Sequence, residues 1–101
     1  MNSIEHFNDG KILKGSSKRT AKVFNPATGE ASSNVNLASS ADLNKAVESA
    51  KKAFPSWSEK TPLFRARVLF KFKELIEKNY DELTKIIVSE HGKVYDDAEV
   101  L

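Results

Sequence analysis

Glu90, His91, Lys93, Asp96, Asp97 and Glu99 have the side-chain types that acid–base, metal and nucleophilic chemistry use. A carboxylate beside an imidazole can pass a proton, but neighbours on a helix point in different directions, so Glu90 and His91 do not form a dyad. Asp96, Asp97 and Glu99 offer oxygen ligands to a hard cation; their pattern reads as a solvated acidic stretch. Lys93 would serve as an amine nucleophile only with a lowered pKa, and no sequence neighbour supplies the cause. The other histidine, His6, lies far from His91 and gives no metal-ligand spacing. His6 is expected on a strand surface, and His91 as a cation favoured by a helix carboxyl end. The chain has no cysteine, which removes thiol nucleophiles, disulfides and thiolate metal sites from these residues. It also lacks the glycine-rich phosphate-binding patterns and the serine nucleophile elbow. No catalytic, cofactor-binding or metal-binding residue is therefore assigned.

Two charges stand among apolar positions. At 100° per residue, Arg65 falls inside the apolar face of one helix and Glu90 inside that of the next, at similar distances from the turn near Asn79. The arrangement predicts either an interhelical ion pair of an architectural kind, since a lone charge there is costly and a guanidinium suits a carboxylate, or two side chains that each snorkel to water from a helix end. Lys60, Arg65, Arg67, Lys71 and Lys73 also form a run without an acid, interleaved with Phe64, Phe70 and Phe72. Such a run suits a membrane surface or a nucleic acid. The reading adopted is a packed aromatic face with lysines on the wet side.

Three helices must position these groups. The first starts at Ser39 or Ser40, with Ser39 and Asp42 at capping-box spacing. Leu43, Ala46, Val47, Ala50, Ala53 and Phe54 form its stripe, and Pro55 is expected to stop it. Trp57 would then lie in the link, packed over the junction with the second helix. Thr61 caps the second helix with Pro62 at its first position, where a missing N–H is harmless. Phe64, Val68, Leu69, Phe72, Leu75 and Ile76 make one apolar face, while Leu63, Ala66 and Phe70 lie nearly opposite. A helix apolar on two sides needs cover on two sides, and this chain has little material for the second. The third helix starts near Asn79, turns Tyr80, Leu83, Ile86 and Ile87 inward, and ends at Gly92, a left-handed cap. Val94 to Leu101 opens a fourth helical pattern that stops without a cap.

Before residue 39 the chain reads as strands and turns. Ile4–Phe7 and Lys11–Leu13 flank Asn8-Asp9-Gly10, a hairpin turn. Lys22-Val23-Phe24 is a short strand, Pro26-Ala27-Thr28-Gly29 a turn, and Val35 and Leu37 belong to another strand. The domain reading is 1–38 for strands and turns, and 39–101 for an incomplete helical layer.

Composition adds bounds. Of the 101 residues, 40% are hydrophobic and 30% charged, as in ordinary globular proteins. No apolar run is long enough for a membrane span, and the start lacks the basic-then-apolar order of a secretory signal. An intracellular, cytoplasmic address is expected. Residues 1–38 hold five basic and three acidic residues, and the rest eleven of each. That excess is too small for a nucleic-acid footprint.

Phe24-Asn25-Pro26-Ala27-Thr28-Gly29-Glu30 resembles the opening signature of the aldehyde dehydrogenase superfamily. Leu43 to Phe54 with Trp57 resembles that family's first helix and its ending. Arg65-Ala66 with Leu69 resembles the start of its second helix, and Glu90-His91-Gly92-Lys93 a later element. Within the superfamily, Ala66 to Phe72 together with Glu90 to Lys93 is similar to the methylmalonate-semialdehyde dehydrogenase branch. Two stretches depart from the family: Ala31-Ser32-Ser33-Asn34 is more polar than its usual strand, and Asp97 to Leu101 looks shortened.

The resemblance implies an α/β fold with a Rossmann-type NAD-binding domain, of which this chain would cover a β-hairpin, short strands and three α-helices. It implies NAD as cofactor and CoA as cosubstrate of the full-length enzyme, with neither expected on this chain. A cysteine nucleophile, an oxyanion-stabilising asparagine and the dinucleotide-holding residues would lie beyond residue 101. The implied partners are the remainder of the dehydrogenase or sister subunits in a homo-oligomer, without nucleic acid or membrane. The fragment alone is expected to be inactive. The alternatives are a stand-alone helical interaction module and a non-functional truncated product.

Overall fold

A computed structural model describes residues 2–100. Residues 1 and 101 lie outside the described residues, and with them the last residue of the fourth-helix reading. The chain divides into two compact units. One comprises the chain up to Phe24 together with Ala31–Glu59, and the other comprises Asn25–Glu30 with the chain from Lys60 onward.

The first unit holds five strands and a helix: β1 (Asn2–Ile4), β2 (His6–Asn8), β3 (Lys11–Leu13), β4 (Thr20–Phe24), β5 (Ala31–Asn36) and α1 (Ser40–Ser58). β2 and β3 pair antiparallel, with Phe7 opposite Ile12. Their turn places Asp9 at φ 52° and Gly10 at φ 72°. Two successive positive φ values are what a two-residue hairpin of matching twist requires. The expected hairpin is therefore present, but its first strand begins at His6. Ile4 belongs instead to β1, which runs parallel to β5 in a three-stranded sheet ordered β1-β5-β4. The polar run Ala31 to Asn34 is the start of that central strand, which ends at Asn36 and leaves Leu37 outside. Serines suit this strand because their hydroxyls find acceptors: Ser32 donates to the Val23 carbonyl at 3.2 Å. Ser33 is buried.

α1 opens with the expected capping box. The Ser39 hydroxyl accepts from Asp42 N–H at 3.1 Å, and the Asp42 carboxylate accepts from Ser39 N–H at 2.9 Å. Pro55 does not stop it; the helix continues to Ser58 with Pro55 inside. Proline loses a donor but keeps its acceptor. The Pro55 carbonyl accepts from the Ser58 hydroxyl at 3.0 Å and Glu59 N–H at 3.2 Å. Trp57 accordingly lies in the last turn of α1, not in a link, and is exposed.

In the second unit, the stretch from Asn25 to Glu30 closes on itself. Asn25 N–H donates to the Glu30 carbonyl at 2.9 Å, Gly29 N–H donates to the Asn25 carbonyl at 2.8 Å, and the Asn25 side chain accepts from Ala27 N–H at 3.0 Å. Gly29 stands at φ 73°, a value that suits glycine. The helices are α2 (Pro62–Lys78), α3 (Tyr80–His91) and a short α4 (Tyr95–Glu99). Thr61 caps α2 by accepting from Phe64 N–H at 3.1 Å. Asn79 does not cap α3; its amide donates back to the Leu75 carbonyl at 2.8 Å and closes the end of α2 instead. Gly92 ends α3 in the left-handed conformation, and a β-carbon there would lie 2.9 Å from the Pro26 ring.

Large apolar side chains are mostly uncovered. Among the described residues Ala98 is the buried hydrophobic residue, and Thr84, whose hydroxyl donates to the Tyr80 carbonyl at 2.8 Å, is fully buried. On α3, Tyr80, Leu83 and Ile87 are half-buried while Ile86 is exposed. On α2, Phe64, Val68, Leu69, Phe72 and Leu75 on one side and Leu63 and Phe70 on the other are all exposed. The chain of 11.2 kDa exposes 8342 Å². Two separate compact bodies of half that mass would expose only roughly 6,900 Å² together.

Candidate functional site

Two clusters of polar side chains stand out, one in each unit, and both are built around an aspartate. In the first, the Asp42 carboxylate accepts from Ser39 N–H and also from Ser16 N–H, at 3.0 Å to each oxygen. The Ser16 and Ser39 hydroxyls meet at 2.6 Å. Arg19 donates to the Ala38 carbonyl at 2.9 Å, and the Asn36 amide to the Lys14 carbonyl at 3.1 Å. The Asp42 pKa is lowered to about 2, first by the Ser39 backbone bond and then by that of Ser16. A group so held is an anchor, since it carries no exchangeable proton near neutral pH.

Beside this joint lies a concavity of about 490 Å³ between the hairpin and α1, lined by Phe7, Leu13, Leu43 and Ala46 together with His6 and Lys45. Its floor includes Gly15, at φ 79°. A β-carbon on Gly15 would sit 2.8 Å from the His6 ring and 2.9 Å from the Asp42 carboxylate. His6 is thus not the free surface residue its strand position implied: it is half-buried, and its Nε2 is buried without a hydrogen-bond partner.

The second cluster joins α3 to α4. Tyr95 OH donates to Asp81 at 2.5 Å, while Lys85 reaches the other Asp81 oxygen at 2.8 Å. The Asp81 pKa falls, through Lys85 first and Tyr95 second. The Tyr95 pKa is pushed up to about 12, chiefly because its proton is engaged by Asp81. A phenol held protonated is a poor base and a poor nucleophile, so this cluster fastens a short helix. Sequence inspection missed it, although Asp81 and Lys85 have ordinary i,i+4 spacing. Tyr95 gives no periodic signal.

The other candidates stay dispersed. Glu90, His91 and Lys93 are exposed at the end of α3 and just beyond, and Asp96, Asp97 and Glu99 are exposed on α4. Among the described residues no group of acids and histidines could hold a metal ion. The ion pair expected between Arg65 and Glu90 does not form. The ion pairs among the described residues are Lys71–Glu74, Lys73–Glu77 and Lys85–Asp81. Glu90 is exposed, whereas Arg65 is half-buried with its Nε buried and unpartnered. A wheel fixes direction on each helix but not the roll of one helix against the next, and that roll decides whether two inward charges meet. Lys71 and Lys73 are neutralised along α2 itself, and Lys60 lies over the Phe64 ring at 4.9 Å.

A helix start binds phosphate through free N–H groups. At α1 the capping box engages the Asp42 N–H and places an anionic carboxylate there, and at α2 Thr61 engages the Phe64 N–H while Pro62 has none.

Comparison with known proteins gives one consistent answer. The model of the aldehyde dehydrogenase family matches residues 12–100. The malonate-semialdehyde dehydrogenase of Pseudomonas aeruginosa is 43% identical over 98 residues, covering 97% of this chain and 20% of that protein. The mouse mitochondrial methylmalonate-semialdehyde/malonate-semialdehyde dehydrogenase [acylating] is 37% identical, covering 96% of this chain and 18% of that protein. A crystal structure from Sinorhizobium meliloti, described as a methylmalonate-semialdehyde dehydrogenase complexed with NAD, superposes with a TM-score of 0.94 at 50% identity. It covers 98% of this chain and 20% of that one. The chain thus spans about a fifth of the length of the relatives it matches.

Proposed function

This chain belongs to the aldehyde dehydrogenase family, and from that premise we propose that it supplies the amino-terminal strands and helices of a semialdehyde dehydrogenase acting on malonate or methylmalonate semialdehyde. The observation that carries the proposal is the match in fold and sequence over 98% of this chain to a fifth of a methylmalonate-semialdehyde dehydrogenase. In this reading residues 1–38 form a strand-and-turn segment, and 39–101 a helical layer of the NAD-binding domain. Activity belongs to the whole enzyme: oxidation of the aldehyde with NAD and delivery of the acyl group to CoA. The relative solved with NAD supports the cofactor, and the mouse relative described as acylating supports transfer to CoA. The whole enzyme would work as a homo-oligomer in the cytoplasm. No helix is long and apolar enough to cross a membrane among the described residues.

The chain's own share is structural. A thiol nucleophile cannot come from a sequence without cysteine. Its aspartates at the two joints are fully engaged by hydrogen-bond donors. What it offers is a pair of firmly capped helix starts and apolar helical surface.

The test is a full-length chimera in which these 101 residues replace the corresponding fifth of the Pseudomonas aeruginosa enzyme. The chimera is expected to oxidise malonate semialdehyde with NAD and CoA, while the 101-residue chain alone shows no NAD reduction. A chimera that folds but is inactive, or turnover by the short chain, overturns the proposal.

A further inference from the structure

The turn between β2 and β3 holds an aspartate where L residues seldom stand. Among the described residues Asp9 is the non-glycine residue with positive φ, at 52°, and Gly10 follows at 72°. Both are exposed. A β-carbon on Gly10 would meet nothing within 4 Å, so the space beside it is open. The Asp9 carboxylate joins no ion pair among the described residues, and an exposed side chain samples its rotamers freely.

We propose that Asp9-Gly10 is a self-modification site, at which the Gly10 nitrogen closes on the Asp9 carboxyl and the turn is rebuilt as isoaspartate. The inference is independent of the function proposed above. Water is the sole co-reactant. The Gly10 nitrogen attacks Cγ of the acid form, a C–N bond forms, and the carboxyl hydroxyl leaves with the amide proton as water. Water then opens the succinimide ring. Attack at Cγ returns aspartate; attack at the Asp9 main-chain carbonyl gives isoaspartate, whose backbone runs through Cβ. Nothing is oxidised or reduced.

The fold prepares this closure. A near-planar succinimide ring eclipses Cβ with the Gly10 nitrogen, which sets ψ of Asp9 to about −120°, the value at the first central residue of a type II′ turn. Types I′ and II′ both keep that residue at positive φ, and both close two-residue hairpins. Passing from one to the other takes a flip of the Asp9–Gly10 peptide plane, which turns φ of Gly10 negative, and glycine accepts either sign. The hairpin therefore holds Asp9 on the left-handed side, which an unfolded L residue rarely visits, and one flip separates it from the reactive geometry. Asp42, Asp81, Asp96 and Asp97 lie in helices instead, where ψ is about −42°. Each of those is followed by a residue with a side chain. The added backbone carbon lengthens a turn that closes the ladder of His6–Leu13, Phe7–Ile12 and Asn8–Lys11. A two-stranded ladder is marginal even when well closed, so isoaspartate loosens the strand that seats His6 over Gly15.

The experiment incubates the 101-residue chain at neutral pH in heavy-oxygen water, both folded and in denaturant. Digestion and mass spectrometry locate the incorporated oxygen, and methylation by an isoaspartyl-specific O-methyltransferase reports the isomer. In the folded chain both signals are expected at Asp9 and at no helical aspartate. The rate there should equal or exceed the rate in denaturant. Asp9→Glu would have to close a larger ring, and should cut the signal at this position by at least about tenfold. The denatured arm keeps that comparison valid whether or not the variant folds. In the isoaspartyl form, separated by chromatography, the amides of β2 and β3 should exchange at least about tenfold faster than in the parent chain. Slower labelling in the folded chain than in denaturant, labelling shared with the helical aspartates, or equal labelling in Asp9→Glu overturns the inference. An isoaspartyl form whose β2 and β3 amides exchange as before overturns the consequence drawn for the ladder.

Discussion

The joint around Asp42 and the surface of α2 are opposite kinds of region. At the joint, Ser16, Ser39 and Asp42 answer one another's donors and acceptors within a few ångströms, and α1 begins where those bonds put it. On α2 the termini are equally well finished, by Thr61 and Asn79, yet apolar side chains on two sides remain exposed. Polar satisfaction is local: a few neighbouring groups close it. Apolar burial is collective, because it needs an opposing surface of similar area. A chain can therefore complete the first while leaving the second open.

Substitutions separate the two behaviours. Gly15→Ala is expected to be the most damaging at the joint. The new methyl must sit at positive φ and within 2.9 Å of both the His6 ring and the Asp42 carboxylate. A loss of about 2–4 kcal/mol, read from the denaturant midpoint of the 101-residue chain, follows from strain plus overpacking. A change below about 0.5 kcal/mol would mean that the loop does not rest on α1.

Ser39→Ala removes one side of the capping box and should cost about 1 kcal/mol, seen as lost helicity in the first turn of α1. Asp42→Asn probes the same joint through pH. The Asp42 pKa is depressed to about 2 from the ordinary aspartate value of 3.8. Its contribution is therefore present above about pH 4 and is lost as pH falls through about 2. Wild type and variant should differ in midpoint at pH 6 and converge near pH 2. A difference independent of pH would show that the charge of Asp42 is not what holds the joint.

The smallest effect is expected on α2. Phe70 is 66% exposed, so Phe70→Glu should change the stability of the 101-residue chain by no more than about 0.5 kcal/mol. In the full-length chimera the same substitution should sharply reduce the yield of assembled enzyme. Equal tolerance in both settings would mean that this side of α2 faces water in the enzyme too, and the contrast between the two regions would collapse.

Much of the local structure was legible in the residues. Asp9-Gly10 marked the hairpin, Ser39 with Asp42 the start of α1, Thr61-Pro62 the start of α2, and Gly92 the end of α3. Each is a short-range device whose chemistry is complete within a few residues. Pro55 was misjudged because it removes only the bond its own nitrogen would donate, while its carbonyl still accepts from Ser58 and Glu59 and holds the last turn. The start of α3 near Asn79 was legible, but not the use of its amide, which serves the earlier helix. The joint partners of Asp42 and the tie from Tyr95 to Asp81 were not legible. Ser16 and Tyr95 meet their acceptors across 26 and 14 residues, and no periodicity encodes such meetings.

By itself, the sequence determined where the three longer helices begin, where the hairpin turns and where α3 ends, the family to which the segments are similar, and the absence of cysteine. Those properties depend on residue type and near neighbours. Only the tertiary structure decided that Arg65 and Glu90 do not pair, that His6 turns into the space over Gly15, and that both apolar sides of α2 remain open. These depend on how one element rolls and seats against another, and many distant contacts set that together.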